Sequence, residues 1–120
     1  MSSSLSINKK IDNFNQKITV SGDKSLSIRW ALLASQAVGR SRAYNLLMSE
    51  DVNATLSILK KLGIKIILKK DYCEILGNGI NGFKYKKNLT LDAKNSGTLG
   101  RLILGLLIKS PKKIRIIGDK

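Results

Sequence analysis

The alternation of short β-branched runs with amphipathic helical stretches is the feature that most constrains the fold of this chain. The runs from Ile64 to Leu68 and from Tyr72 to Leu76 flank a polar turn and predict a β-hairpin. Apolar residues at helical spacing predict helices over residues 25–38 and from Ser49 to Leu62. Strands that alternate with helices in this way are typical of an α/β protein.

The complete predicted order is β, α, β, α, β, β and then β, α, β, so that a second unit begins to repeat the first. Further strands are predicted over residues 18–20, 42–47, 89–91 and 114–117, and a third helix over residues 98–109. Gly39 fits the position just past the end of the first helix. The third helix is apolar almost all round, which predicts burial on most of its faces. The last strand has no evident partner or following helix, and we expect the chain to be part of a longer protein.

Charge and composition exclude several function classes. The 120 residues contain 22 Lys and Arg, 8 Asp and Glu, 1 Cys and no His, which gives a formal net charge of +14. A lone Cys rules out an internal disulfide framework and predicts a reducing compartment. The lack of His removes the Ser-His-Asp triad and most zinc chemistry.

The basic surplus has two interpretations, a nucleic-acid-binding surface and a solvated Lys-rich surface. Lysines occur in pairs at segment ends, and aromatic residues are only 5% of the chain, so little stacking surface is predicted for single-stranded nucleic acid. Residues 1–10 lack the apolar region of a signal peptide, and the apolar run at 102–108 is too short to span a membrane. We therefore predict a cytoplasmic protein with no membrane partner.

Two predicted loop-to-helix junctions have the composition of anion sites. Lys24 and Ser25 lie where a helix begins, and Arg29 follows one turn later on the same face. Asn95 to Thr98 repeats this arrangement at the third helix, with Arg101 one turn in. A Lys, a hydroxyl and an Arg beside free backbone N–H groups favour phosphate or carboxylate. A plain helix cap with solvated cations is the alternative.

Other motifs carry structural interpretations. The residues from Gly77 to Gly82 match the G-x-G-x-x-G consensus of dinucleotide-binding loops. No helix is predicted after them, so we interpret this stretch as a turn. Glu50 and Asp51 fit acids at a helix N-terminus better than catalytic carboxylates. Cys73 is predicted to be a small core residue.

Three motifs in order resemble the 5-enolpyruvylshikimate-3-phosphate synthase family. They are Ser21 to Ala34, Ser49 to Val52 followed by Leu62-Gly63, and Leu91 to Thr98 with Arg101. The Lys24-Ser25 pair favours this family over the UDP-N-acetylglucosamine enolpyruvyl transferases, which carry Lys-Asn. Lys94 and Gly100 depart from the family, which usually has Gly and a larger apolar residue there.

The resemblance implies an α/β fold of repeated βαβαββ units packed around buried helices, here incomplete. It implies a partial domain over residues 18–120, and a segment over residues 1–17 that belongs to a second domain outside this chain. The implied activity transfers the enolpyruvyl group of phosphoenolpyruvate to shikimate 3-phosphate and releases phosphate, in a monomer that needs no metal or organic cofactor. A small basic nucleic-acid-binding domain is the alternative.

The resemblance also implies roles for individual residues. Lys24 would be catalytic and touch both substrates, while Ser25 and Arg29 would bind shikimate 3-phosphate. Asn95 and Gly97 would bind phosphoenolpyruvate, with the Gly97 backbone close to the ligand. The acid and base groups would lie outside this chain, so that the chain alone is expected to be inactive.

Overall fold

The computed structural model describes residues 4–10, 12–13 and 15–119. Helices and strands in this part of the chain are α1 (Lys24–Gln36), β1 (Val38–Tyr44), α2 (Glu50–Lys61), β2 (Lys65–Leu68), β3 (Tyr72–Asn78), β4 (Leu89–Asp92), α3 (Gly97–Leu107) and β5 (Ile114–Ile117). This order confirms the predicted α/β class, the β2–β3 hairpin and the three helices.

Two sheets are formed by these strands. Strand β3 lies at the centre of an antiparallel sheet in the order β1-β3-β2, and β4 and β5 form a parallel pair. Opposite charges at facing positions support the β1–β3 register, since Arg42 lies opposite Glu74 and donates to its carboxylate at 2.8 Å. Glu74 is buried, and Arg40 reaches its other oxygen at 3.4 Å.

The core lies between the helices and the three-stranded sheet, because α1 packs against α2 and against β3. Fully buried side chains from these elements include Ile28, Val52, Leu59 and Ile75. Gly77 lets α1 approach β3 closely, since a Cβ there would overlap the backbone carbonyl oxygens of Ala34 and Ala37. The Gly79 N–H then donates to the Ala37 carbonyl at 3.0 Å and ties the helix end to the sheet.

The boundary between α1 and β1 differs from the prediction. The helix ends at Gln36 and the strand already begins at Val38, so Gly39 lies inside β1 rather than past a helix end. Gly39 has φ +95° and lies opposite Gly77 in the ladder. The prediction was wrong because pairing with β3, a contact distant in sequence, takes the chain out of the helix at Gln36, two residues earlier than predicted.

Two further predictions about strands are corrected. Ile18 to Val20 is not a strand, because among the described residues its backbone joins no ladder; the Asn45 side-chain amide donates to the Val20 carbonyl instead. The last strand does have a partner, since β5 pairs with β4 from Leu89 opposite Ile114 to Asp92 opposite Ile117. Residues 4–10, 12–13 and 15–17 are exposed and form no helix or strand.

Burial of α3 on most of its faces is also not observed. Leu99 and Ile103 are fully buried, whereas Leu102 is 39% exposed and Leu104 58% exposed. Both sides of the helix are apolar in sequence, but α1 packs against only one of them in the described part of the chain.

Gly77→Ala should destabilise the protein by about 2–4 kcal/mol, because the added methyl group must displace two backbone carbonyls. The matched control is Gly105→Ala on α3, where nothing lies within 4 Å of the new Cβ. That variant should gain about 0.5–1 kcal/mol from helix propensity. Urea unfolding followed by circular dichroism measures both changes. Equal stabilities for the two variants would contradict the close approach of α1 to β3.

Candidate functional site

The loop before α1 is held against the chain that follows β1, and this contact fixes where the helix begins. A Cβ on Gly22 would lie 2.5 Å from the Asn45 carbonyl oxygen and 2.8 Å from the Leu47 nitrogen. One turn into the helix, the buried Ser27 hydroxyl accepts from the Leu47 N–H at 3.1 Å. The position of Lys24 therefore depends on a close backbone approach that requires glycine at position 22.

A carboxylate of the chain itself occupies part of the predicted anion site at α1. Asp23 is the N-cap, and its side chain accepts from the Leu26 N–H at 2.7 Å. The prediction of free N–H groups at this junction is thus only partly right. The helix leaves the N–H groups of Lys24 and Ser25 without an internal partner, and the side chains of Lys24, Ser25 and Arg29 lie in its first two turns.

Lys24 forms an ion pair that the sequence analysis did not anticipate. Its ammonium lies 3.1 Å from a carboxylate oxygen of Asp51, at the start of α2. The Lys24 side chain is 52% exposed and that of Asp51 only 17%. Asp51 is a helix-N-terminal acid as predicted, but it also links the starts of α1 and α2. The sequence indicated only that Asp51 is an acid next to Glu50. Spacing along the chain does not show which cation forms an ion pair with such an acid.

Ser25 and Arg29 lie one turn apart on α1. Ser25 is partly buried, and Arg29 is exposed. Residues four apart share one face of a helix, so their side chains lie on the same side of α1. This placement agrees with the predicted face.

The second predicted junction lies at the start of α3. Ser96 caps this helix by accepting from the Leu99 N–H at 3.3 Å, and Asn95 is exposed in the preceding turn. Gly97 is the first helical residue, and its N–H has no carbonyl partner within the helix. A Cβ on Gly97 would lie 3.2 Å from a guanidinium nitrogen of Arg101, which therefore reaches back toward the helix start.

Lys94 adopts a backbone conformation that explains why glycine is usual at this position in the family that the sequence resembles. Its φ of +51° lies in the left-handed region, which costs a side chain about 1–2 kcal/mol. Its ammonium lies 3.0 Å from the Asp92 carboxylate, and its N–H donates to the other Asp92 oxygen at 2.9 Å. The Lys94 N–H and ammonium hold the pKa of Asp92 below its ordinary value, and the Asp92 carboxylate raises the pKa of Lys94.

The α2 acids stand between the two predicted junctions. Asp51 pairs with Lys24 on one side, while Glu50 lines a cavity together with Lys94 on the other. Among the described residues, no hydrogen bond or ion pair joins the α1 group (Lys24, Ser25, Arg29) directly to the α3 group (Asn95, Gly97). The starts of α1 and α2 and the loop before α3 nevertheless meet at one end of the structure.

Cations and carboxylates lie close together at this end. Lys24 pairs with Asp51, and Lys94 pairs with Asp92. A cavity of about 390 Å³ opens beside the loop and is lined by Glu50, Asn53, Asp92 and Lys94 among others. Lys24 and Lys94 are thus oriented by neighbouring carboxylates, while their half-exposed side chains still face solvent.

The remaining motifs take the structural roles that were predicted. Cys73 is buried in β3, and burial raises the pKa of its thiol, which keeps it protonated. The chain after Gly82 forms no helix, so the glycine-rich stretch is not a dinucleotide loop. Within the part of the chain that is described, no group of three or more acidic or Cys side chains has the geometry of a metal site. No helix among the described residues is long and apolar enough to cross a membrane.

The described residues form an α/β arrangement in which Lys, Ser and Arg lie at the start of one helix and Ser96-Gly97 at the start of another, and its likeness to solved EPSP synthase places the chain in the enolpyruvyl transferase class. Structural comparison supports this class. EPSP synthase from Acinetobacter baumannii superimposes with a TM-score of 0.73 at 36% identity, covering 87% of this chain and 24% of that one.

The chain belongs to the EPSP synthase (3-phosphoshikimate 1-carboxyvinyltransferase) family, whose sequence model matches residues 8–120. The 3-phosphoshikimate 1-carboxyvinyltransferase of Leuconostoc mesenteroides is 40% identical over 103 residues, which cover 86% of this chain and 24% of the relative. That of Streptococcus suis is 36% identical over 115 residues, covering 96% and 27%. The chain thus spans about a quarter of the length of these relatives. The nucleic-acid-binding alternative gains no support from them.

Asp92→Asn should change how stability depends on acid pH. Because the folded-state pKa of Asp92 is lowered, its contribution to stability is present above its ordinary pKa and is lost as the pH falls through the folded value. The difference in melting temperature between wild type and Asp92→Asn should therefore shrink as the pH falls from about 5 to about 2.

Asp71→Asn is the control for the loss of one negative charge from a strongly basic chain, since Asp71 is exposed in the β2–β3 turn. Thermal unfolding followed by circular dichroism at each pH measures all three proteins. A wild-type minus Asp92→Asn difference that stays constant over this range would contradict the Lys94–Asp92 contacts.

Proposed function

We propose that this chain provides part of the substrate site of an enzyme that transfers the enolpyruvyl group of phosphoenolpyruvate to the 5-hydroxyl of shikimate 3-phosphate. In this reaction the hydroxyl oxygen loses its proton and forms a bond to C2 of the enolpyruvyl group, the C2–O bond to phosphate breaks, and the released phosphate takes up a proton in the net balance. The products are the enolpyruvyl ether and inorganic phosphate. The proposal includes a monomeric enzyme of the cytoplasm that works without a metal ion or organic cofactor.

The observation that carries this proposal is the position of Lys24. Its ammonium is anchored on one side by Asp51 and is half-exposed on the other, at the point where two helices begin. Both substrates are anions, and a fixed cation at the join between them lowers the cost of bringing their charges together. We assign Lys24 contacts with both substrates.

Ser25 and Arg29 extend the same face of α1 toward solvent. A hydroxyl and a guanidinium beside an ammonium can together donate several charge-assisted hydrogen bonds to a phosphate group. We assign these two side chains to shikimate 3-phosphate.

The start of α3 offers a different type of contact. Gly97 presents an N–H that the helix leaves without an internal partner, and Asn95 adds an exposed side-chain amide next to it. Phosphoenolpyruvate, which carries a carboxylate and a phosphate, is the ligand that we assign to this pair. Arg101, which lies over Gly97, contributes positive charge at the same helix start.

Lys24→Ala should weaken binding of shikimate 3-phosphate to the chain by about 10- to 100-fold, because a charge-assisted hydrogen bond to phosphate contributes about 1.5–3 kcal/mol. Titration of the ¹⁵N-labelled chain, followed by amide chemical shifts, measures the affinity. The largest shifts are expected at residues 24–29.

Lys69→Ala is the matched control. Lys69 is an exposed lysine at the end of β2, and its replacement removes one positive charge, as Lys24→Ala does. Its affinity should stay within about twofold of wild type. The chain spans about a quarter of its relatives' length, and we expect it to release no phosphate from the two substrates by itself. Absence of any saturable shift with shikimate 3-phosphate would refute the proposed site, and phosphate release would refute the expected inactivity.

A further inference from the structure

We infer that Asp51 is the positioning residue for Lys24: it holds the ammonium in the direction that the phosphorylated substrate requires. This inference rests on the proposed function and adds to it a residue from α2. Three observations carry it, namely the contact between the two side chains, the unequal exposure of the pair and the rigid anchoring of Asp51.

The contact is short and joins two elements. The Lys24 ammonium and the Asp51 carboxylate lie 3.1 Å apart, although 27 residues separate them in the chain. An ammonium group has three N–H donors, and one oxygen of Asp51 engages only part of this capacity. The remaining donors are available to a ligand that arrives from solvent.

The two side chains of the ion pair differ in exposure, and this difference determines which of them faces solvent. The Asp51 side chain is only 17% exposed, whereas that of Lys24 is 52% exposed. A ligand approaching from solvent therefore meets the cation first and the carboxylate behind it. A pair of this kind orients the lysine without presenting an open negative surface to an anion.

Asp51 itself is held in place by its helix. Ser49 caps α2 through the Val52 N–H at 3.4 Å, and the Thr55 hydroxyl donates to the Asp51 backbone carbonyl at 2.9 Å. Thr55 is fully buried, so this part of α2 is fixed in the core. A free lysine side chain has four rotatable bonds, and a largely buried carboxylate on an anchored stretch of helix removes much of that freedom before the ligand binds.

The neighbouring acids do not share this role. Asp23, the residue before Lys24, accepts from the Leu26 N–H as the cap of α1. Glu50 is exposed, and among the described residues no ion pair joins it to Lys24. Asp51 is the acid in the described part of the chain that forms an ion pair with Lys24.

A double-mutant cycle with shikimate 3-phosphate tests the inference. Asp51→Asn keeps the shape of the side chain but removes its charge. This variant should bind shikimate 3-phosphate about tenfold more weakly, because the ligand must then order a flexible Lys24 side chain by itself. In a Lys24→Ala background the same substitution should change the affinity by less than about twofold, because Asp51 acts only through Lys24. Asp51→Glu, which restores the charge, should recover part of the loss.

Glu50→Gln is the matched control, since it removes an acid from the same helical turn, and it should leave the affinity within about twofold of wild type. Circular dichroism establishes that each variant is folded. An unchanged affinity in Asp51→Asn, or an equal loss with and without Lys24, would overturn the inference while leaving the proposed function intact.

A measurement without ligand separates the two proposals. The side-chain ¹⁵N signal of the Lys24 ammonium, assigned by its absence in Lys24→Ala, should shift in Asp51→Asn and stay unchanged in Glu50→Gln. If wild type does not bind shikimate 3-phosphate, the proposed function fails, and this signal still decides whether Asp51 holds Lys24. A Lys24 signal that is insensitive to Asp51→Asn would overturn the inference by itself.

Discussion

The close approach of helix α1 to the central strand β3 determines the position of almost everything else in this structure. Gly77 provides the space, and the bond from Gly79 to the Ala37 carbonyl holds the end of the helix on the sheet. With its end fixed and its start locked by Gly22 against Asn45 and Leu47, α1 has little freedom to slide or rotate. The side chains proposed to bind substrate at its start depend on this placement, because a displacement of 1 Å is large compared with the tolerance of a charge-assisted hydrogen bond.

Electrostatics at the helix starts differ from what the net charge of +14 indicates. Two lysines at the helix starts are paired with carboxylates, Lys24 with Asp51 and Lys94 with Asp92, both at about 3 Å. The local surface is therefore ordered rather than strongly positive. Such an arrangement favours a ligand that fits the directions of the donors over an arbitrary polyanion, which agrees with a phosphorylated small molecule and not with a diffuse nucleic-acid surface.

Local sequence signals predicted the elements whose formation depends on near neighbours. The α2 helix has its cap, its acids and its final Gly63 within 15 residues, and the β2–β3 hairpin closes through a short turn. The predictions that were wrong concern long-range contacts. The start of β1 at Val38 depends on a partner 40 residues away, and Ile18 to Val20 has strand composition but no ladder partner among the described residues. Burial of α3 could not be predicted from its composition, since an apolar face is buried only where another element covers it.

The sequence by itself determined the fold class, the family resemblance and the candidate residues Lys24, Ser25, Arg29, Asn95 and Gly97, because residue type and local spacing specify what a helix start can offer. Only the tertiary structure decided which charges meet. That Asp51 pairs with Lys24, and that Lys94 takes a left-handed backbone beside Asp92, follow from how α1, α2 and the β4–α3 loop pack. The physical reason is that an ion pair needs its partners within about 4 Å, and this distance is set by packing between elements, not by spacing along the chain.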